Sequence, residues 1–179
     1  MAQRSIIKVA VVGAESTGKS LLCEALAKHY TTVWVPEYAR TYFNDSDIYN
    51  YTFDDLVIIA KKQIELEEQF INQATRFLFC DTTLITLKIW AELEFKTTPA
   101  FIAANLQKIK YDHYFITDNQ IPWEADELRQ NKHCRDLLFE MNKVEVKKSG
   151  IPYSIISGTD GQRLANALAI IEATMIQKI

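Results

Sequence analysis

The residues from Gly13 to Leu21 carry the clearest chemical signal in the sequence. Gly13 and Gly18 bracket four residues and precede Lys19 and Ser20, which fulfils the pattern G-x-x-x-x-G-K-[ST]. In such a loop the backbone N–H groups converge at a helix N-terminus, where the helix dipole favours an anion. We expect Lys19 to reach the β- and γ-phosphates of ATP and the Ser20 hydroxyl to bind Mg²⁺. The expected nucleotide-binding residues are Gly13, Ala14, Glu15, Ser16, Thr17, Gly18, Lys19, Ser20 and Leu21.

Other motifs decide which class of P-loop protein this is. A Ras-like GTPase requires D-x-x-G and N-K-x-D, but the corresponding positions here read "DTTL" from Asp81 to Leu84 and "ITDN" from Ile116 to Asn119. The Gly-rich signature of an ABC-type ATPase is missing, and an AAA machine needs a longer chain with a second, sensor-bearing domain. We therefore expect a small P-loop phosphotransferase, in which one domain binds both donor and acceptor.

Asp81 is the first acid expected near the phosphates. It follows four apolar residues, and a buried parallel strand delivers such an acid to the edge of the sheet where ligands bind. There it is suited to order Mg²⁺ or to accept the proton of an acceptor hydroxyl. The alternative is that Asp81 merely caps the next helix, together with Thr82 or Thr83.

A second group of chemically active residues follows the second strand, in "PEYARTYF" from Pro36 to Phe43. It combines a carboxylate, Glu37, with an aromatic ring, Tyr38, and a guanidinium, Arg40. Such a set is suited to hold an aromatic ring that bears a sugar. The alternative is that Tyr38 belongs to the core and Arg40 to a surface salt bridge, and the residues alone leave both interpretations open.

The segment after the fourth strand, about residues 118–135, is expected to be a lid, because small P-loop kinases carry a mobile lid at this point. Arg129 and Arg135 are candidates to close on the transferring phosphoryl group, neutralise its charge and exclude water. Trp123 and Asp126 accompany Arg129, which favours a functional role for it. For Arg135, a charged helix face is an equally good interpretation.

The elements that position these residues alternate between strand and helix along the chain. This order predicts an α/β fold with three layers and a five-stranded parallel sheet, of the nucleoside- or nucleotide-kinase type among P-loop NTPases. The predicted strands are Ile6–Val12, Thr32–Pro36, Phe77–Cys80, Tyr111–Thr117 and Tyr153–Ser157. The predicted helices are 19–30, 53–74, 84–95, one opened by Thr98-Pro99, 132–148 and 159–178.

Composition limits the possible partners. The chain has 179 residues, 48% hydrophobic and 24% charged, and we expect one domain over residues 1–179. A net charge of -3 argues against binding nucleic acid or anionic lipid. We expect no membrane segment, a cytoplasmic location, reduced thiols and structural or surface histidines; the oligomeric state stays open.

Five stretches occur in the order found in the ribosylnicotinamide kinase domain of NadR-type NAD-biosynthesis proteins, and the chain resembles that family over nearly its whole length. They are "GAESTGKS", "PEYAR", "CDTT", "YDHYFIT" and "PWEADELR". The resemblance implies ATP- and Mg²⁺-dependent phosphorylation of nicotinamide riboside to nicotinamide mononucleotide. Two features differ: the lid reads D-E-L-R where the family has D-G-x-R, and the H-x-G-H site of the fused adenylyltransferase domain is absent.

Together these observations assign expected roles, with two alternatives for the function. The alternatives are a kinase for another small nucleoside and an ATP-dependent switch or binding module. Either Asp81 or Glu37 is expected to be the general base. The expected catalytic residues are Lys19, Asp81, Glu37 and Arg129, the substrate-binding residues Glu37, Tyr38, Arg40, Trp123 and Asp126, and the metal-binding residues Ser20 and Asp81.

Overall fold

A five-stranded sheet forms the middle layer of the computed structural model, which describes residues 6–44, 48–125, 132–159 and 161–176. Every strand pairing is parallel, and the spatial order is β2-β3-β1-β4-β5. The strands are β1 (Ile7–Gly13), β2 (Trp34–Val35), β3 (Phe77–Asp81), β4 (His113–Thr117) and β5 (Tyr153–Ile156).

Helices connect these strands and cover both faces of the sheet, because parallel strands need crossover connections. The helices are α1 (Lys19–His29), α2 (Tyr38–Asn44), α3 (Phe53–Ile71), α4 (Leu84–Phe95), α5 (Ala100–Leu106), α6 (Arg135–Ser149) and α7 (Gly161–Thr174), with a 3₁₀ turn at Lys132–Cys134. None of the helices in the described part of the chain is long and apolar enough to cross a membrane.

The central strand β1 is buried on both sides, as its continuous apolar run predicts. Val9 and Val11 pack in a cluster with α1 and α7. Ala10 and Val12 point to the opposite face and pack with α4 and α6. The fold thus has the three layers expected from the sequence.

Local capping signals account for several helix boundaries. Thr52 and Asp55 form a capping box at the start of α3, since each side chain bonds the backbone N–H of the other residue. Gly150 ends α6 in the left-handed conformation, with φ of 70°. The five strands and the long helices all lie close to their predicted positions.

Helix α2 is the main element that the sequence pattern did not predict. It has seven residues, of which Ala39 and Phe43 are buried one turn apart. So short a helix depends on its packing against α3 rather than on propensity. Its position matters because it fixes the geometry of Glu37 and Arg40.

The strand order changes direction beside β1, because β3 lies on one side of it and β4 on the other. In open parallel sheets, ligands bind beyond the carboxyl ends of the strands at such a point. The loop from Gly13 to Ser20 begins there. The single-domain expectation for residues 1–179 stays a prediction.

Candidate active site

Two glycines shape the loop after β1, and the first of them, Gly13, lets it close tightly against β4. A Cβ atom on Gly13 would lie 2.4 Å from Thr117 Oγ1 and 2.8 Å from the Thr117 carbonyl oxygen. Gly18 precedes α1 in the left-handed conformation, with φ of 73°. Thr17 Oγ1 donates to the Ala14 carbonyl at 2.8 Å and lies 2.7 Å from Thr117 Oγ1. The nucleotide-binding loop is therefore held firmly from its strand side.

The register between β1 and β3 brings the expected charged residues together. Val11 is paired with Asp81, so the acid lies beside the start of the loop. Ser20 Oγ donates a hydrogen bond of 2.5 Å to Asp81 Oδ2. Lys19 Nζ donates to the Ala14 carbonyl oxygen at 2.9 Å and so lies across the loop. The structure thus brings these three residues together beside the loop, and their catalytic and metal-binding roles stay predictions.

Asp81 is buried, with 1% of its surface exposed. Burial raises the pKa of Asp81 to about 6; the charge of Glu37 acts in the same direction, while Lys19, the Ser20 hydrogen bond and Arg40 oppose the rise.

The residue that caps helix α4 is Thr83 and not Asp81, because the Thr83 side chain accepts from the Ile85 N–H at 3.2 Å. The simple capping role considered for Asp81 therefore does not describe this structure.

The Ser20 hydroxyl and the Asp81 carboxylate fit a magnesium ion. Both are hard oxygen donors, and they are adjacent at the start of α1, where phosphate groups would supply further oxygens. Among the described residues no group of three or more His, Cys, Asp or Glu side chains is arranged for a metal. That is compatible with Mg²⁺, which usually takes one or two carboxylates together with water and phosphates.

A small cavity, here called the inner cavity, opens on the loop from the side of α2, α4 and α6. Its volume is about 40 Å³. Glu37 Oε2 lies 3.3 Å from Arg40 Nε, so these two opposite charges are paired beside the loop. The inner cavity is lined by Gly13, Ala14, Glu15, Ser16, Lys19, Glu37, Arg40, Thr86, Ile89, Trp90, Leu138 and Asn142.

A second cavity, here called the outer cavity, lies on the other side of the loop, against α1 and the start of α7. It has a volume of about 400 Å³ and an apolar lining that includes Leu21, Ile121 and Leu164. Ser16 and Gly18 of the loop border it as well. A larger cavity of about 600 Å³ lies between α4, α5 and α6, but no residue of the loop lines it.

Two arginines hold the outside of the loop. Arg163, 3% exposed, donates to the Thr17 carbonyl at 2.5 Å and forms an ion pair of 2.6 Å with Asp118. Arg135 donates to the Ser16 carbonyl at 3.1 Å. Because the C=O and N–H of a peptide point in opposite directions, these contacts orient the next N–H groups towards the inside of the loop.

Arg163 is not among the site residues expected from the sequence. A signal was present, however, because Arg163 occupies the same buried stripe of α7 as Ala167 and Ile171. A charged residue in an apolar stripe needs buried partners. For Arg135 the structure favours contact with the loop over a plain surface position.

Two further expected site residues, Tyr38 and Trp123, do not line the inner cavity. The Tyr38 ring packs 6.4 Å from that of Tyr42, and Trp90 supplies the aromatic wall instead. Trp123 lies beneath the Arg135 guanidinium, at 6.0 Å. Asp126 and Arg129 lie outside the described residues, so their roles stay predictions.

Comparison with known proteins adds three findings. A family described as "AAA domain" matches residues 8–163; the match concerns one P-loop domain, whereas the AAA machines set aside in the sequence analysis are longer proteins with a second domain. The trifunctional NAD biosynthesis/regulator protein NadR of Escherichia coli K12 is 28% identical over 142 residues, which are 74% of this chain but 35% of that protein. The chain thus spans about a third of the length of this relative.

Solved structures show the same fold. A crystal structure of NadR protein in complex with NR has a TM-score of 0.73 and 22% identity, covering 96% of this chain and 52% of that one. Deoxyadenosine kinase from M. mycoides has a TM-score of 0.66 and 13% identity, covering 93% and 100%. The expected nucleoside-kinase-like P-loop fold and the resemblance to NadR-type proteins are thereby confirmed.

The raised pKa of Asp81 leads to a prediction about stability. The folded protein binds the Asp81 proton more tightly than the unfolded chain, so its free energy of unfolding decreases as the pH rises from about 4 to about 6. Asp81→Asn removes this loss, and we expect the nucleotide-free variant to be more stable than wild type at pH 7, by up to ~3 kcal/mol. Urea unfolding between pH 4 and 7 measures the difference.

Two features make this comparison specific. Burial also raises the pKa of Glu67, so the difference between wild type and variant, rather than the wild-type profile alone, isolates Asp81. Glu24→Gln, at an exposed position on α1, controls for the loss of one negative charge. A less stable Asp81→Asn variant with an unchanged pH profile would show that the ionised carboxylate supports the fold.

Proposed function

The chain belongs to the AAA domain family, and we propose that it is an ATP-dependent kinase that phosphorylates nicotinamide riboside to nicotinamide mononucleotide. One observation carries the kinase proposal. The inner cavity opens on a complete phosphate-binding loop and shares Lys19 with it, and the next residue, Ser20, is hydrogen-bonded to Asp81. A donor phosphate and an acceptor hydroxyl would both be within reach there.

The donor would lie along the loop. Backbone N–H groups and Lys19 bind its phosphates, and its base occupies the outer cavity between Leu21 and Ile121. The apolar lining of that cavity suits a planar base. Ser20 and Asp81 would hold Mg²⁺, which, when bound, neutralises charge on the phosphates.

The acceptor would enter the inner cavity, which shares Lys19 with the phosphate site. Of the two candidate bases, Glu37 lines this cavity, whereas Asp81 is bonded to Ser20 and does not line it. We therefore assign Glu37 as the base. The acceptor's primary hydroxyl oxygen forms a bond to the γ-phosphorus, the bond from that phosphorus to ADP breaks, and the hydroxyl proton passes to the Glu37 carboxylate.

Two groups that line the inner cavity, Glu37 and Trp90, suit a cationic ring, although its four charged residues, Glu15, Lys19, Glu37 and Arg40, sum to zero formal charge. Nicotinamide riboside carries a pyridinium, which a carboxylate and an aromatic face attract, and Glu37 and Trp90 supply both. Arg40 would oppose the pyridinium on its own, but its pairing with Glu37 reduces that repulsion. Similarity to a NadR structure in complex with NR supports the same acceptor.

The inner cavity must enlarge when the acceptor binds. Its volume is about 40 Å³, whereas small-molecule sites usually measure ~300–1,000 Å³. The lining helices α2, α4 and α6 would therefore move apart on binding. Such a change would couple the position of Glu37 to the presence of an acceptor.

The proposal predicts which acceptor is used. Purified protein with Mg-ATP is expected to convert nicotinamide riboside to its 5′-phosphate in preference to uridine, cytidine or deoxyadenosine, as measured by mass spectrometry of the products. Lys19→Ala is expected to abolish conversion, because the lysine charge faces the transferring phosphate. Lys28→Ala, at the exposed end of the same helix, is the matched control.

Three other outcomes have distinct meanings. Conversion of only the other nucleosides would contradict nicotinamide riboside as the acceptor and would still support a kinase. No acceptor-dependent ADP release would favour a nucleotide-dependent switch, because a switch responds to a partner protein instead. Normal conversion by a correctly folded Lys19→Ala variant would contradict the proposed use of the loop.

The assignment of Glu37 as the base is tested separately. Glu37→Gln keeps the shape of the side chain but cannot accept a proton, so we expect kcat to fall by roughly 100-fold or more with little change in KM for ATP. Steady-state kinetics measure both quantities. Glu24→Gln, an exposed substitution on α1, is the control. A variant that retains most of its kcat would shift the base role to Asp81.

A further inference from the structure

Two buried oxygen atoms of residues that line the inner cavity have no hydrogen-bond partner among the described residues. They are Thr86 Oγ1 on α4 and Asn142 Oδ1 on α6. The two residues are 7% and 2% exposed. A buried polar atom without a partner costs ~1–3 kcal/mol, and most such atoms in folded proteins are paired. Two of them around one cavity indicate a ligand that completes their hydrogen bonds.

The orientation of the Asn142 amide is set by its own helix. Its Nδ2 donates to the Leu138 carbonyl oxygen at 2.8 Å, which requires an N–H on that side. The unpaired atom is therefore the carbonyl oxygen, which can only accept a hydrogen bond. The Thr86 hydroxyl can donate or accept. The residues that line the cavity thus include one with an unpaired strict acceptor and one with an unpaired adaptable hydroxyl.

A primary carboxamide complements this pair. Its NH₂ group donates to Asn142 Oδ1, while its carbonyl oxygen accepts from the Thr86 hydroxyl. A carboxylate in the same position has no hydrogen to donate and would place a negative oxygen against Asn142 Oδ1. The cations that line the cavity do not remove this difference, because Arg40 is paired with Glu37 and the proposed function places Lys19 on the donor phosphates.

We propose that Asn142 and Thr86 determine specificity by selecting an acceptor that carries a carboxamide over its carboxylate analogue. This inference rests on the proposed function, since it concerns the distal end of the same acceptor. Trp90, on α4 with Thr86, supplies an apolar wall for the ring that bears the carboxamide. Thr86 on α4 and Asn142 on α6 then bind the carboxamide, while the loop and Glu37 contact the reacting hydroxyl.

The test compares kcat/KM for nicotinamide riboside and nicotinic acid riboside. We expect wild type to prefer the carboxamide at least ~10-fold, the scale of one hydrogen bond. Asn142→Leu, of similar size, is expected to reduce this preference to nearly none, mainly through a lower kcat/KM for nicotinamide riboside. The KM for ATP should not change.

Asn105→Leu is the matched control. Asn105 on α5 makes the same type of contact, from Nδ2 to the Phe101 carbonyl at 2.8 Å, but does not line the inner cavity. It should keep the wild-type preference. Thr86→Val, a substitution of nearly equal size, tests the second group and carries the test if Asn142→Leu does not fold.

The outcomes separate this inference from the proposed function. If wild type phosphorylates nicotinamide riboside but the folded Asn142 and Thr86 variants keep its preference, the inference is overturned and the function stands. A wild type that prefers the carboxylate overturns the inference in the same way. If wild type phosphorylates neither riboside, the proposed function and this inference fail together.

Discussion

The hydrogen bond between Ser20 and Asp81 is the interaction on which the rest of the site depends. It joins the first turn of α1 to the end of β3 and exists because the parallel register pairs Val11 with Asp81. The loop after β1 is fixed on one side by this contact and on the other by Thr117. Glu37 and the inner cavity are then placed relative to a rigid phosphate site.

This arrangement keeps a carboxylate where burial disfavours its charge. The pKa of Asp81 rises because the strand end is buried and because Glu37 adds a second negative charge nearby. Lys19, Ser20 and Arg40 offset only part of that effect. Unfavourable burial of an ionisable group is typical of functional sites, where it lowers the free energy of unfolding.

The sequence was sufficient for features that depend on local pattern. The loop, Ser20 and Asp81 were predictable because each follows an apolar strand at fixed spacing. Trp90 and Asn142 were not, since their contribution arises only when α4 and α6 pack together above the loop. Tyr38 was expected in the site because its motif lies at the correct edge, but helix α2 directs its ring towards Tyr42.

Titration of the Asp81 carboxyl carbon by NMR tests the central claim most directly, with Asp81→Asn used to assign the resonance. The account predicts a pKa of about 6 in the nucleotide-free protein. Addition of ADP and Mg²⁺ should lower that pKa, because a nearby cation favours the ionised form. A pKa near the ordinary 3.8 without ligand, or a raised value that ligand leaves unchanged, would contradict the claim that Asp81 is the buried carboxylate of the phosphate site.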